Sequence, residues 1–293
     1  MITTPLSEQD TTLLDRAVAL AQKGLFTTKP NPRVGCVIAR EGKIIGEGWH
    51  VRAGQVHAEI AALIAADHDV RGADVFVSLE PCSHHGKTGP CATALIDAGV
   101  ARVVISMLDP NPEVSGRGVE MLRQAGIQVL ISDNPEQARM INSGFCLRME
   151  KGRPLVRLKI AATLDGRTAA SDGSSQWITG DSARKDVHTL RAMSCALITG
   201  IGTIRADNPR LNARVDSDVE QPLRVIVEGR HVVPPDAAIF NEAGRVLLVG
   251  SRSLPSRKEV PPGAEYLSVD SDHGKLDLEQ LIRSLARQGC NEV

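Results

Sequence analysis

The feature that most constrains this chain is a set of soft metal ligands near its N-terminus. His57-Ala58-Glu59 supplies an imidazole and a carboxylate, and Glu80-Pro81-Cys82 is followed by a second thiol at Cys91. One histidine and two cysteines suit zinc, and a catalytic zinc keeps its fourth position open for water. Glu59 is then a carboxylate that is not a ligand and can move the proton of that water. The pattern predicts zinc bound by His57, Cys82 and Cys91.

The local sequence indicates how these residues could meet. Residues 58–66 (AEIAALIAA) form a strong helical segment and the residues before it do not, so His57 and Glu59 fall at its first turn. Residues 75–79 have the composition of a buried strand. A thiolate near a helix start is favoured by the positive end of the helix dipole. We expect the metal site to join two helix starts at the edge of a sheet.

Other interpretations of the cysteines remain open. Cys82 and Cys91 could form a disulfide, although 6 Cys in 293 residues without a secretory signal favour a reducing compartment. A structural zinc would need a fourth protein ligand, which His84 or His85 could supply. The order of the motifs, HAE and then a strand ending in EPC, favours the catalytic site. This is the order found in zinc deaminases, where two residues separate the cysteines instead of the eight found here.

Composition argues against several classes of function. The chain has 34 basic and 35 acidic residues, a net charge of −1 and only 2% aromatic residues. A nucleic-acid base deaminase would share the zinc motif but should show a basic surface and stacking aromatics. A non-catalytic zinc module that binds another protein would not need Glu59. No apolar run approaches the length of a membrane span. We expect a cytoplasmic protein that acts on small molecules, with no nucleic-acid or membrane partner.

Helices and strands alternate along both halves of the chain. In the first half, helices are predicted at residues 11–23, 58–66, 91–98 and 118–124, and strands at 34–39, 43–48, 75–79, 102–107 and 127–131. A connecting helix is expected over residues 140–149. The second half is predicted to have strands at 154–161, 196–199, 224–227 and 245–249, and helices at 181–191 and 276–288. The fold class is α/β, and the length predicts two domains, residues 1–148 and 149–293.

Two features of the second half have more than one interpretation. Gly200-Ile201-Gly202 begins a dinucleotide-binding pattern, but Arg205 stands where the third glycine would be, and a glycine turn between strand and helix fits equally well. The predicted helix 181–191 carries several basic residues, including Arg191. Such residues usually mark a solvated face, and phosphate binding is the alternative.

Longer motifs run in a fixed order over both halves. They are Pro30-Asn31-Pro32-Arg33-Val34-Gly35, His57-Ala58-Glu59, Leu79-Glu80-Pro81-Cys82-Ser83-His84, Asp109-Pro110-Asn111-Pro112, Leu164-Asp165-Gly166-Arg167, Ser175-Gln176-Trp177-Ile178-Thr179 and Ala206-Asp207-Asn208-Pro209. With these motifs the whole chain resembles the bifunctional deaminase/reductases of bacterial riboflavin biosynthesis. The resemblance implies a cytidine-deaminase-like three-layer domain followed by a dihydrofolate-reductase-like domain. It also implies zinc-dependent deamination of 2,5-diamino-6-(5-phosphoribosylamino)pyrimidin-4-one, then reduction of the ribosyl group to ribityl by NADPH.

The resemblance assigns roles to individual residues. It makes His57, Cys82 and Cys91 the zinc ligands and Glu59 the proton shuttle. Family positions that bind the deaminase substrate match Asn31, His84, Lys87 and Thr88. Positions that contact NADP match Ala161, Trp177, Thr203, Asp207 and Gly229. Positions on the reductase substrate match Ser175, Arg191, Leu211 and Arg214. Lys159, two residues before Ala161, could contact the ribose, with a surface lysine at a strand end as the alternative. The family also implies a homo-oligomer.

The chain departs from the family pattern at two places. Gly89 stands where family members usually have proline, which is expected to loosen the segment between the cysteines without removing a ligand. The family continues beyond Val293 with a strand and a Glu-Ala-Gly-Pro-Thr stretch that binds substrate and the NADP phosphates. If the chain is truncated at Val293, we expect the reductase half to lack part of its cofactor site and the deaminase half to be intact.

Overall fold

A computed structural model describes residues 5–83, 89–228, 233–251, 260–273 and 275–293 of the chain. The chain divides into two units, Met1–Lys151 and Gly152–Val293. The boundary expected from the sequence, between residues 148 and 149, lies inside the last helix of the first unit. Among the described helices, none combines the length and the hydropathy that a membrane span requires.

The first unit is built on a five-stranded sheet. In chain order its elements are α1 (Glu8–Ala21), β1 (Gly35–Arg40), β2 (Lys43–Trp49), α2 (Ala58–Ala65), β3 (Asp74–Val77), α3 (Cys91–Asp97), β4 (Arg102–Ile105), α4 (Arg117–Gln124), β5 (Gln128–Ile131), α5 (Glu136–Ile141) and α6 (Ser143–Lys151). The strand order is β2-β1-β3-β4-β5. Strand β1 runs antiparallel to both of its neighbours, and β3, β4 and β5 are parallel. Each helix and strand predicted for this half overlaps one of these elements.

Helices cover both faces of this sheet. Successive side chains of a strand point to opposite faces. Accordingly, Cys36 and Ile38 of β1 belong to a core that includes α2, α3 and α4. Val37 and Ala39 belong to a second core formed with α1. The first unit therefore has the three layers that the family resemblance implied, and helices hold the sheet from both sides.

The connecting helix predicted over residues 140–149 is in fact two helices, α5 and α6, with Asn142 between them. The Asn142 side chain is buried and bonds to a distant segment. Its Oδ1 accepts a hydrogen bond from the Arg33 amide at 2.8 Å, and its Nδ2 donates to the Arg33 carbonyl at 2.9 Å. An asparagine held in this way competes with a continuous helix, which explains the break.

The second unit contains a four-stranded parallel sheet. Its elements are α7 (Asp181–Met193), β6 (Ala196–Gly200), α8 (Ile201–Asp207), β7 (Leu223–Val227), β8 (Val246–Gly250), β9 (Ala264–Ser268), β10 (Ser271–Asp272), β11 (Lys275–Leu276) and α9 (Leu278–Arg287). The order is β6-β7-β8-β9, and within the described part of the unit β10 pairs with β11 alone. Leu281 and Leu285 of α9 pack on this sheet in one buried core. Strand β9 was not predicted from the sequence.

The strand predicted over residues 154–161 was wrong: the described residues show a single bridge there, between Leu155 and Glu292. The Arg157 amide donates to the Val293 carbonyl at 2.8 Å, and the ladder goes no further among the described residues. Beyond it, Leu158 and Ile160 are 84% and 64% exposed. A strand needs a paired backbone and a buried face, and this segment has neither after Arg157.

Candidate active site

Three side chains of the first unit that could hold a metal ion meet at one point. His57 is the N-cap residue of α2, with an extended backbone (φ −76°, ψ 165°). Cys91 is the first residue of α3, and Cys82 lies in the segment after β3. His57 Nδ1 is 3.6 Å from Cys82 Sγ and 3.3 Å from Cys91 Sγ. Tetrahedral zinc, with bonds of about 2.0 Å to nitrogen and about 2.3 Å to sulfur, separates its ligands by roughly 3.5 Å. The three side chains therefore fit a zinc ion.

The hydrogen bond between the two thiols shifts their pKa values in opposite directions. A hydrogen bond from Cys91 lowers the pKa of Cys82 to about 4, and His57 adds to this effect. The same bond, together with burial, raises the pKa of Cys91. The hydrogen bond to Cys82 also raises the pKa of His57. A metal cation that replaces the shared proton would hold both sulfurs as thiolates.

Glu59 lies in the first turn of α2, and its side chain is almost completely buried, with 3% of its surface exposed. Burial raises the pKa of its carboxyl to about 7, and the neighbouring Cys82 thiolate contributes. A general acid and base is most effective when its pKa is close to the working pH. Glu59 is thus able both to take and to give a proton beside the proposed metal position.

A cavity of 530 Å³ opens onto these residues. Its wall comes from the loop at residues 30–34, the segment from His50 to Glu59, the segment after β3, the loop at residues 109–114 and Phe145 of α6. This volume is in the range of sites that enclose a small organic molecule. Asn31, the deaminase substrate position expected from the resemblance, lines it.

His50 belongs to this site but was missed by the sequence analysis. Its Nε2 is 3.0 Å from Asn31 Nδ2, and its Nδ1 is 3.0 Å from the Val56 carbonyl. A neutral ring with its proton on Nδ1 satisfies both contacts, and burial lowers the pKa of His50. The ring also stands edge-on to His57, with centroids 5.3 Å apart. A histidine at the end of β2, shortly before the HAE motif, was a signal that could have been used.

The remaining predicted residues lie in different parts of the chain. His84, Lys87, Thr88 and Gly229 lie outside the described residues. Lys159, Ala161 and Ser175 lie in a segment without regular secondary structure, and Thr203 and Asp207 are on α8. Trp177 is 71% exposed, with the Arg184 guanidinium 4.5 Å from its ring centroid.

Arg191 and Arg214, two predicted substrate positions, lie close together. The Arg191 guanidinium donates to the Asn212 carbonyl at 3.2 Å. Asn212 follows Leu211, another predicted substrate position, in the chain. The Arg214 amide donates to His188 Nδ1 at 3.2 Å. Burial lowers the pKa of Arg191, and the nearby Arg214 lowers it further. Clustered cations of this kind are suited to an anionic group such as phosphate.

Comparison with known proteins gives the family. The model of the cytidine and deoxycytidylate deaminase zinc-binding region matches residues 7–107, and that of the RibD C-terminal domain matches residues 154–293. Riboflavin biosynthesis protein RibD of Escherichia coli (strain K12) is 44% identical over 297 residues, covering 97% of this chain and 80% of that protein. The chain belongs to the RibD family. RibD of Haemophilus influenzae is 47% identical, over 98% of this chain and 79% of its own length.

Solved RibD structures have the same fold. Acinetobacter baumannii RibD, form 1, matches with a TM-score of 0.90 at 44% identity, over 98% of this chain and 80% of its own. A diaminohydroxyphosphoribosylaminopyrimidine deaminase/5-amino-6-(5-phosphoribosylamino)uracil reductase from Thermotoga maritima matches with a TM-score of 0.87 at 39% identity, over 97% and 80%. The RibD assignment confirms the family resemblance and the predicted fold, a cytidine-deaminase-like domain followed by a dihydrofolate-reductase-like domain.

Proposed function

We propose that this RibD chain catalyses two successive steps of riboflavin biosynthesis. The first unit deaminates 2,5-diamino-6-(5-phosphoribosylamino)pyrimidin-4-one with zinc. The second unit reduces the ribosyl group of the product to ribityl with NADPH. The observation that carries the proposal is the convergence of His57, Cys82 and Cys91 beside the buried Glu59, at one cavity, in a chain of this family.

In the first step His57, Cys82 and Cys91 would hold zinc. Zinc, when bound, acts as a Lewis acid and lowers the pKa of the water it carries to roughly 7. Glu59 takes one proton from the water and gives it to the ring nitrogen, and it then carries the proton of the hydroxyl that has added to the ring carbon to the departing amine. Ammonia leaves, and an oxo group takes its place on the ring. The raised pKa of Glu59 suits both transfers.

The deaminase substrate has a ring to orient and a phosphate to bind. Asn31, held by its contact with His50, is placed at the cavity wall and would bind the ring. We assign His84, Lys87 and Thr88 to the ribose phosphate end, because a lysine and a hydroxyl beside backbone amides are suitable phosphate donors.

In the second step NADPH, when bound, supplies hydride to the ring-opened sugar, so the chain mainly binds and orients the reactants. Arg191 and Arg214, with Ser175 and Leu211, would hold the reductase substrate, and Lys159 its ribose. The cofactor would be contacted by Ala161, Trp177, Thr203, Asp207 and Gly229.

We also propose that the enzyme is a cytoplasmic homo-oligomer. It binds phosphorylated pyrimidines rather than nucleic acid or membranes, and its net charge of −1 agrees with this.

Elemental analysis together with an ammonia assay tests the deaminase proposal. We expect one zinc per chain and ammonia release from the diaminopyrimidine substrate, with loss of both after treatment with a chelator and recovery on adding zinc. The Cys82→Ser and Cys91→Ser variants should lose zinc, whereas Cys146→Ser, which changes a buried cysteine outside the cluster, should keep it. A metal-free protein that still releases ammonia would overturn the proposal.

A further inference from the structure

A second buried glutamate lines the cavity that contains Glu59. Glu80 is 3% exposed and comes two residues before the proposed ligand Cys82. An acid at this position is, by location alone, a second candidate for proton transfer. Its hydrogen bonds are therefore what decides its role.

Four backbone amides donate to the Glu80 carboxylate. Oε2 accepts from the amides of Asp109 at 3.2 Å and Gly116 at 2.9 Å. Oε1 accepts from the amides of Gly118 at 3.0 Å and Val119 at 3.2 Å. A carboxylate offers about four lone-pair sites. All four sites of Glu80 accept hydrogen bonds from backbone amides, so the carboxylate has no lone pair left to take a proton during the reaction.

The donors belong to two neighbouring pieces of structure. Gly118 and Val119 are in the first turn of α4, whose early amides have no partner within the helix. Asp109 and Gly116 lie at the two ends of the loop before α4. That loop forms part of the cavity wall through Asp109, Asn111 and Val114. One charged side chain therefore joins the turn that precedes Cys82 to the loop and to the start of α4.

Close packing supports the same interpretation. A Cβ atom at Gly118 would lie 2.0 Å from the Pro81 carbonyl oxygen and 3.3 Å from Glu80 Cγ. The start of α4 thus lies directly against the Glu80-Pro81 backbone. This approach is what brings the helix amides within reach of the carboxylate.

We propose that Glu80 is a positioning residue of the deaminase: it fixes the cavity wall formed by Asp109, Asn111 and Val114 against the metal-binding turn, so that substrate binds in a reactive orientation. The inference rests on the proposed deaminase function. Glu80 does not exchange protons with substrate, and its removal affects the reaction through the loop. Misplacement of a bound group by about 1 Å can reduce a rate by about 10²-fold.

The test compares Glu80→Gln with Glu113→Gln, which makes the same change at an exposed position of the same loop. The glutamine keeps one acceptor oxygen and turns its NH₂ towards amides that are themselves donors. We expect zinc to stay at one per chain and kcat/KM for ammonia release to fall by about 10²-fold, mainly through kcat. Hydrogen exchange at the amides of Asp109, Gly116, Gly118 and Val119 should become faster. The control should match the wild type in all three measurements.

Hydrogen exchange does not depend on activity, so the two proposals can fail separately. A wild-type enzyme that releases no ammonia would refute the deaminase function. Unchanged exchange and unchanged kcat/KM in Glu80→Gln would refute the positioning role, and so would loss of zinc, because the effect would then pass through Cys82. If Glu80→Gln does not fold, Glu80→Asp keeps the charge but is too short to reach both pairs of amides. It should then show the faster exchange and the lowered kcat.

Discussion

The surroundings of two carboxylates in one cavity give them different roles. Glu80 is saturated by four backbone amides, whereas Glu59 is buried beside thiols and has a pKa of about 7. A group with free acceptor capacity and a pKa near neutrality can exchange a proton during a reaction. At the scale of single residues, hydrogen-bond partners decide function more than position in the cavity does.

The first prediction at this scale is for Glu59→Gln. The variant should bind one zinc per chain, because Glu59 is not a ligand, and its rate of ammonia release should fall by at least about 10²-fold. Elemental analysis and the ammonia assay measure the two properties. Glu120→Gln, an exposed change on α4, is the control and should be fully active. If the variant loses its metal, Glu59 has a structural role instead.

Lys87 gives a second residue-scale prediction, argued from the sequence alone. It is the only basic side chain, apart from two histidines, between Cys82 and Cys91. A charge-assisted contact is worth about 1.5–3 kcal/mol, so Lys87→Ala should lower kcat/KM by about 10- to 150-fold. The loss should disappear with a dephosphorylated substrate, and Lys43→Ala on the exposed end of β2 should have no effect. Equal losses on both substrates would contradict phosphate binding by Lys87.

Among the elements, those governed by local sequence could be predicted and those governed by distant contacts could not. Helix α2 is built from a run of strong helix formers, and the position of His57 before it followed from that run. The break at Asn142 depends on Arg33, 109 residues away in the chain, so no local pattern reveals it. The segment at residues 154–161 has the composition of a strand, but its backbone pairing ends at Arg157. The contact of His50 with Asn31 is likewise tertiary.

The junction of α5 and α6 carries the third prediction. Asn142→Ala removes two buried hydrogen bonds, one with the amide and one with the carbonyl of Arg33, and removing one partner of a buried hydrogen bond costs about 1–3 kcal/mol. We expect the free energy of unfolding in urea to fall by about 2–4 kcal/mol. Asn142→Asp sets a buried carboxylate oxygen against the Arg33 carbonyl oxygen, so its loss should be at least as large. Gln124→Ala, on the exposed side of α4, should change stability little; an equal loss there would contradict the assignment.

An ion-pair group that joins α1 to the sheet gives a prediction about pH. Arg102 donates to Asp10 of α1 at 2.8 Å and to Asp74 of β3 at 2.7 Å. Burial acts to raise the pKa of Asp10, but its hydrogen bonds with Arg102 and Ser7 prevail and hold it below the ordinary 3.8. A lowered pKa in the folded state gives stability that is present above the ordinary value and is lost as pH falls through the folded value.

The expected result is that Asp10→Asn flattens the pH dependence of unfolding below about pH 4, near the ordinary carboxyl pKa. The measurement is urea denaturation at several pH values in the presence of a chelator, so that release of zinc does not contribute. Asp69→Asn removes an exposed partner of Arg40 and serves as the control. Slopes that are the same for wild type and Asp10→Asn would show that this group is not linked to folding.

At the scale of the whole molecule, the chain consists of two units with separate cores. The buried residues around β1, β3 and β4 belong to the first unit, and those around β7, β8 and α9 belong to the second. The zinc-binding region and the RibD C-terminal domain each match within one unit. Because every proposed deaminase residue is in the first unit and every proposed reductase residue is in the second, each activity should depend on its own unit.

The last prediction uses this separation. Glu59→Ala should abolish ammonia release from the diaminopyrimidine but leave reduction of the already deaminated intermediate unchanged, followed by NADPH oxidation in a full-length chain. The reason is that Glu59 lies on the buried side of α2, in the first unit. Loss of its side chain removes the proton carrier of the deaminase and changes no residue of the second unit. Arg191→Ala is the reciprocal variant and should impair reduction while ammonia release continues at the wild-type rate. If Glu59→Ala folds normally and loses both activities, the two reactions share one site and the assignment of one activity to each unit is wrong.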